Sequence, residues 1–178
     1  GANADLANAS QANVSGTISA DATANGDGGR VIVWADGVTN YTGFASATGS
    51  GSGDGGFAEV SGKQTLNFNG LVDLTAESGN AGTLLLDPTD ITISFAADTT
   101  EMSWTGTQYK DTTNASSVLN MTTLSSQLAL SDVEVTTASS TGGTGNITLP
   151  TGSAITWNSA NTLTLTADNN IETQVGSI

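Results

Sequence analysis

Apolar and polar residues alternate over short stretches of this chain, most regularly in its last third. The alternating runs are Ile91–Ile93, Val133–Thr136, Asn146–Leu149, Ala154–Trp157, Leu163–Thr166 and Asn170–Glu172. A period of two places Val, Ile and Leu on one face of a strand and Thr or Glu on the other. Gly, Asn and Ser separate the runs, and the 3.6-residue periodicity of helices is missing. The pattern therefore predicts short, half-buried strands joined by turns.

The first half of the chain contains an internal repeat of 27 residues. Residues 27–53 and 54–80 align without a gap, and both begin with Asp-Gly-Gly. The positions that recur at this interval are Asn13, Asn40 and Asn67; Gly16, Gly43 and Gly70; Val33 and Val60; Tyr41 and Phe68; and Phe44 and Leu71. A unit of this size cannot bury an apolar face alone, so it must stack on copies of itself.

Two architectures provide such stacking: a parallel β-helix, in which each unit is one coil, and a β-propeller, whose blades are nearer to about 40 residues. The shorter interval favours the coil. We therefore predict an all-β solenoid, a parallel β-helix of about six to seven coils with one irregular excursion. Residues 1–95 are expected to form regular coils, residues 96–130 the excursion, and residues 131–178 further coils, as one solenoid cut from a longer protein. Residues 119–130 fit either a short helical turn or a coil corner.

In such a stack, the recurring Asn and Gly residues lie above one another near a corner. Gly suits a corner where φ is positive or where two backbones come close. Asn13, Asn40 and Asn67 are interpreted as turn residues, and a ligand-binding ladder of Asn side chains is the alternative.

Charge narrows the range of partners. The chain has 17 acidic and 3 basic residues, and its formal net charge is −14. Because so few cations can neutralise phosphate, we expect no nucleic-acid partner and no binding to anionic membranes. No apolar run is long enough to span a bilayer, so we expect no membrane insertion. The absence of Cys excludes disulfides and thiolate metal sites.

Few residues offer catalytic or binding chemistry. Asp87 and Asp90, in the segment Asp-Pro-Thr-Asp, are weak candidates for calcium, but acids in such a turn more often cap backbone N–H groups. We therefore expect no cofactor. The chain has no His to activate a Ser or Thr nucleophile, which indicates a protein that is not an enzyme. Trp104 and Tyr109 are candidates for glycan contact, because aromatic rings stack on sugars.

Two segments in the middle of the chain carry a family resemblance. The first is Asp-Gly-Gly-Phe-Ala-Glu-Val-Ser-Gly at 54–62, and the second is Gly-Thr-Leu-Leu-Leu-Asp-Pro-Thr-Asp-Ile-Thr-Ile at 82–93. In this order they resemble motifs of the filamentous-haemagglutinin and high-molecular-weight adhesin group, the exoproteins of two-partner secretion systems. Later strand-like segments extend the resemblance over residues 27–178.

This resemblance implies a right-handed parallel β-helix that passes through an outer-membrane transporter and is secreted or held at the surface of a Gram-negative bacterium. It also implies a non-catalytic, rigid adhesive rod that attaches to host cells, surfaces or biofilm matrix through a glycan or protein receptor. Exposed strands at the ends of a rod would favour end-to-end or lateral self-association. A carbohydrate-binding module is one alternative. A β-helical polysaccharide-degrading enzyme is another, which the lack of His and the scarcity of basic residues disfavour.

Overall fold

The computed structural model describes residues 7–95, 102–104, 109–111, 117–138 and 143–173. The strands in these ranges are β1 (Gln11–Val14), β2 (Thr17–Ser19), β3 (Arg30–Ala35), β4 (Val38–Tyr41), β5 (Phe44–Ser46), β6 (Phe57–Gly62), β7 (Thr65–Phe68), β8 (Leu71–Asp73), β9 (Thr83–Pro88), β10 (Ile91–Ser94), β11 (Met102–Trp104), β12 (Tyr109–Asp111), β13 (Ser117–Asn120), β14 (Asp132–Thr136), β15 (Ile147–Leu149), β16 (Leu163–Thr166) and β17 (Ile171–Thr173). Helix α1 spans Met121–Gln127. Within the described ranges, no helix combines the length and apolar character needed to cross a bilayer.

The strands stack as parallel coils and form a β-solenoid of about five turns. The predicted fold class is thus confirmed, with slightly fewer coils than the six to seven expected. The longest stack runs β3-β6-β9-β14-β16, and shorter stacks run β1-β4-β7, β2-β5-β8 and β13-β10-β15-β17. Arg30 pairs with Phe57, and Phe57 pairs with Thr83, so one coil takes 27 residues and the next takes 26. Strands β11 and β12 pair with each other in antiparallel orientation.

The core is a set of columns in which side chains of equivalent positions meet between coils. Val33, Val60 and Leu86 lie in register in β3, β6 and β9, and Val135 of β14 continues the column. None of these four side chains is more than 7% exposed. Full burial of such a side chain contributes roughly 1.5–3 kcal/mol. Because one coil cannot cover both sides of its own apolar layer, the stability of each coil depends on its neighbours.

One column is aromatic. The rings of Tyr41 in β4 and Phe68 in β7 stack with their centroids 5.4 Å apart and their planes 5° from parallel. The hydroxyl of Tyr41 donates a hydrogen bond to the carbonyl oxygen of Leu71 at 3.2 Å. Burial raises the pKa of the Tyr41 hydroxyl to about 12, so the ring stays neutral in the core.

The coil number is lower than predicted because β13 and α1 fold back into the stack. Strand β13 follows β10 in the chain, yet it pairs with the edge of β10 opposite β15. It also contacts β7, where the N–H of Leu66 donates to Oγ of Ser117 at 2.9 Å. Asp132 of β14 pairs with Thr83 of β9, so this single coil takes 49 residues.

Helix α1 closes the β2-β5-β8 stack. Its N-cap is Asn120, whose Oδ1 accepts from the N–H of Thr122 at 2.7 Å. At its other end the buried amide of Gln127 accepts from the N–H of Val72 at 3.0 Å and donates to the carbonyl oxygen of Val72 at 2.6 Å. A single side chain therefore forms the backbone hydrogen bonds that a further strand beside β8 would otherwise supply.

Candidate functional site

The recurring Asn residues form a hydrogen-bonded ladder on the outside of the coils. Asn13, Asn40 and Asn67 lie in register in β1, β4 and β7. Nδ2 of Asn40 donates to Oδ1 of Asn13 at 2.8 Å, and Nδ2 of Asn67 donates to Oδ1 of Asn40 at 3.3 Å. Oδ1 of Asn67 is buried and has no hydrogen-bond partner in the described part of the chain. The ladder joins coils to one another, which accounts for the 27-residue interval without a ligand.

The recurring Gly residues lie where backbones of successive coils come close. A Cβ at Gly43 would lie 2.4 Å from the carbonyl oxygen of Gly16, and a Cβ at Gly70 would lie 2.4 Å from that of Gly43. None of the three is among the positive-φ glycines of the described residues. Of the two reasons that the sequence offered for Gly, close backbone approach therefore applies. These residues shape the coil and carry no chemistry of their own.

Carboxylates form a second set of links between coils, which sequence reasoning missed. In each case a side-chain oxygen accepts from a backbone N–H one coil further on, at 2.7–2.9 Å. The pairs of acid and N–H donor are Asp21 with Thr48, Asp27 with Asp54, Asp54 with Asn80, Asp90 with Asn146, and Asp132 with Thr162. Hydrogen bonds to charged groups are stronger than neutral ones. Much of the acidic charge thus holds coils together.

Asp21 is the most heavily bonded of these acids. Its Oδ1 accepts from the N–H of Thr48 at 2.8 Å and from the Thr48 hydroxyl at 3.1 Å. Its Oδ2 accepts from the hydroxyls of Ser19 and Ser46, both at 2.7 Å. These bonds, of which the one from the Thr48 backbone has the largest effect, lower the pKa of the Asp21 carboxyl to about 2. The carboxylate form of Asp21 is therefore favoured in the folded chain.

We expect Asp21 to make folding pH-dependent at acid pH. A carboxyl whose pKa falls on folding stabilises the native state above its unfolded value, near 3.8, and this contribution is lost as the pH falls towards about 2. Thermal unfolding followed at several pH values should show Asp21→Asn less stable than wild type above pH 4, with a difference that shrinks towards pH 2. Glu134→Gln is the control, because the Glu134 carboxylate has no hydrogen-bond partner within the described ranges. An equal pH dependence in all three proteins would contradict this role of Asp21.

The two acids proposed as weak calcium ligands have different surroundings. Asp90 accepts from the N–H of Thr144 at 2.9 Å, the hydroxyl of Thr144 at 2.8 Å and the N–H of Asn146 at 2.9 Å. Burial opposes ionisation of Asp90, but these bonds and one from the Gly145 N–H outweigh it and lower the pKa of the carboxyl. Asp87 lies on β9, in register with Ser61. Among the described residues, no three His, Cys, Asp or Glu side chains come together to hold a metal ion.

The predicted glycan contact lies largely outside the described residues. The backbones of Trp104 and Tyr109 are directly opposite each other in the β11-β12 pair. The side chains of both residues fall outside the described part of the structure, so their proposed contact with sugar stays a prediction.

The chain was also compared with known proteins. No protein-family model matches the chain, and no curated protein matches it at a significant level.

Proposed function

We propose that this chain is a non-catalytic structural and adhesive segment of a large secreted adhesin on the surface of a Gram-negative bacterium. The observation that supports this proposal most directly is the in-register parallel stack β3-β6-β9-β14-β16. With strands about 4.8 Å apart, such a stack grows into a rod as coils are added. The motifs at 54–62 and 82–93 add the resemblance to exoproteins of two-partner secretion systems, which implies an outer-membrane transporter as export partner.

The links between coils suit a stiff rod. Each coil is joined to the next by a backbone ladder, by stacked apolar side chains and by hydrogen bonds of carboxylates to N–H groups. Bending the stack would stretch several of these contacts at once, because they lie on different faces of the coil. A net charge of −14 keeps such a surface soluble and limits non-specific association.

A scaffold explains the polar residues better than an enzyme does. A glycosidase needs two opposed carboxylates that are free to exchange protons or attack the substrate. Asp21 and Asp90 are each occupied by several hydrogen bonds from neighbouring coils. The sequence contains no His that could serve as a general base. Attachment to a host or matrix receptor, and end-to-end or lateral association of rods, remain part of the proposal.

Surface display tests this function. Antibodies raised against the purified segment should label intact cells of the producing bacterium, or the secreted fraction, without permeabilisation. Deletion of the gene should reduce attachment of the cells to surfaces, and restoring the gene should recover it. Label confined to permeabilised cells, or unchanged attachment after deletion, would overturn the proposal. Release of reducing ends from polysaccharides by the purified segment would instead identify an enzyme.

A further inference from the structure

A small concavity opens on the outside of the solenoid, at the end of β3, β6 and β9. Its volume is about 120 Å³, and its lining residues are Trp34, Lys63, Asp87, Pro88, Thr89 and Ala138. Trp34, Ser61 and Asp87 follow one another in register across the three strands. Trp34 and Asp87 are thus two strands, or about 10 Å, apart. The small side chain of Ser61 between them leaves room for the concavity.

The groups around this concavity can both donate and accept hydrogen bonds. The indole N–H of Trp34 and the carboxylate of Asp87 have no hydrogen-bond partner among the described residues. Nζ of Lys63 lies 3.8 Å from a carboxylate oxygen of Asp36, and both of these side chains are more than 40% exposed. The corner is held in place by the hydroxyl of Thr89, which donates to the carbonyl oxygen of Lys63. The ring is therefore fixed beside donors and acceptors that can reach a ligand.

We propose that this concavity is a binding subsite for one sugar ring of a neutral glycan. A pyranose ring has an apolar C–H face that packs on an aromatic side chain and a rim of hydroxyls that both donate and accept. Trp34 supplies the aromatic surface and a donor, Asp87 supplies acceptors, and Lys63 supplies a further donor. This site is separate from the Trp104 and Tyr109 contact predicted from the sequence.

Charge and size both favour a neutral sugar. Asp36 and Asp87 together outweigh the charge of Lys63, and the whole chain is strongly acidic, so an anionic sugar would be repelled. Pockets that enclose a drug-sized ligand measure about 300–1,000 Å³. A concavity of about 120 Å³ suits part of one ring, with the rest of the glycan lying along the outside of the sheet.

Indole resonances provide a direct test. The chain has three Trp residues, so a ¹⁵N-labelled sample gives three indole N–H signals that single Trp variants assign. The purified chain is titrated separately with cellotetraose, mannotetraose, galactotetraose and tetragalacturonate. We expect at least one neutral tetrasaccharide to shift the Trp34 signal in a saturable way, and tetragalacturonate to leave it unchanged. The absence of a saturable Trp34 shift with every neutral sugar, or a shift of the Trp104 signal alone, would overturn the proposal.

Variants separate the subsite from a general effect on folding. Trp34→Ala should weaken binding of the active sugar at least about tenfold, and Trp34→Phe, which keeps a ring, should weaken it less. Asp87→Asn should also weaken binding. Trp157→Ala is the matched control, because Trp157 is exposed and donates to the carbonyl oxygen of Asn161 away from the concavity. Equal binding by wild type and Trp34→Ala would disprove the subsite. Because the test uses purified chain, its result is independent of the surface-labelling experiment.

Discussion

Replacing Gly70 with Ala is expected to lower the free energy of unfolding by about 2–3 kcal/mol. A Cβ at this position would lie 2.4 Å from the carbonyl oxygen of Gly43 and 2.6 Å from two ring carbons of Tyr41. Neither neighbour can move easily. The Gly43 carbonyl accepts from the N–H of Leu71, and the buried Tyr41 ring is stacked on Phe68. Denaturant unfolding followed by circular dichroism measures the loss.

Gly16→Ala is the matched control for this experiment. Gly16 occupies the same position of the repeat, but a Cβ there would meet nothing within 4 Å. Because Ala restricts the unfolded chain more than Gly does, this change should be neutral or stabilise by up to about 1 kcal/mol. Gly43→Ala should destabilise, because its Cβ would lie 2.4 Å from the Gly16 carbonyl oxygen. Equal effects of Ala at Gly16 and Gly70 would show that close coil approach does not explain the repeat.

Gln127→Met should destabilise the chain by about 2–4 kcal/mol. Gln127 is 1% exposed, and its amide bonds the N–H and the carbonyl oxygen of Val72 as well as the hydroxyl of Ser131. Met has a similar length and shape but cannot make these bonds, so buried polar groups of Val72 and Ser131 would lose a partner. Denaturant unfolding measures the total effect, and hydrogen exchange should show faster exchange of the Val72 amide.

Gln64→Met is the control for the same chemical change at an exposed position. Gln64 lies at a coil corner and has an exposed side chain. We expect a change of less than about 0.5 kcal/mol there, as for most surface substitutions. Unchanged protection of the Val72 amide in Gln127→Met would mean that α1 does not complete the edge of β8.

The regular coils are predictable from sequence because their contacts repeat at a fixed interval. The 27-residue spacing placed Asn13, Asn40 and Asn67 above one another, and the structure has them in register with direct side-chain hydrogen bonds. The same interval separates Asp27 from Asp54, so the carboxylate links could have been recognised in part. Asp21 and Asp90 bond to N–H groups of residues that differ from them in type. No repeated letter therefore marks these links.

Several strands of the second half also follow from alternation alone. Val133–Thr136 and Leu163–Thr166 lie in β14 and β16, which pair in parallel. Ala154–Trp157, which alternates in the same way, contains no strand. Alternation reports which face of a segment can be buried, but pairing also requires a neighbouring edge in register.

The sequence by itself determined the kind of fold, because a repeat of about one coil with alternating apolar residues has few ways to bury its interior other than stacking. Only the tertiary structure decided that β13 runs along the β7 side of β10, and that Gln127 completes the edge of β8. These contacts join residues 51 and 55 positions apart and occur once, so no periodic signal encodes them. Their positions depend on which strand edges the coils leave open, and that is settled only when the coils have stacked.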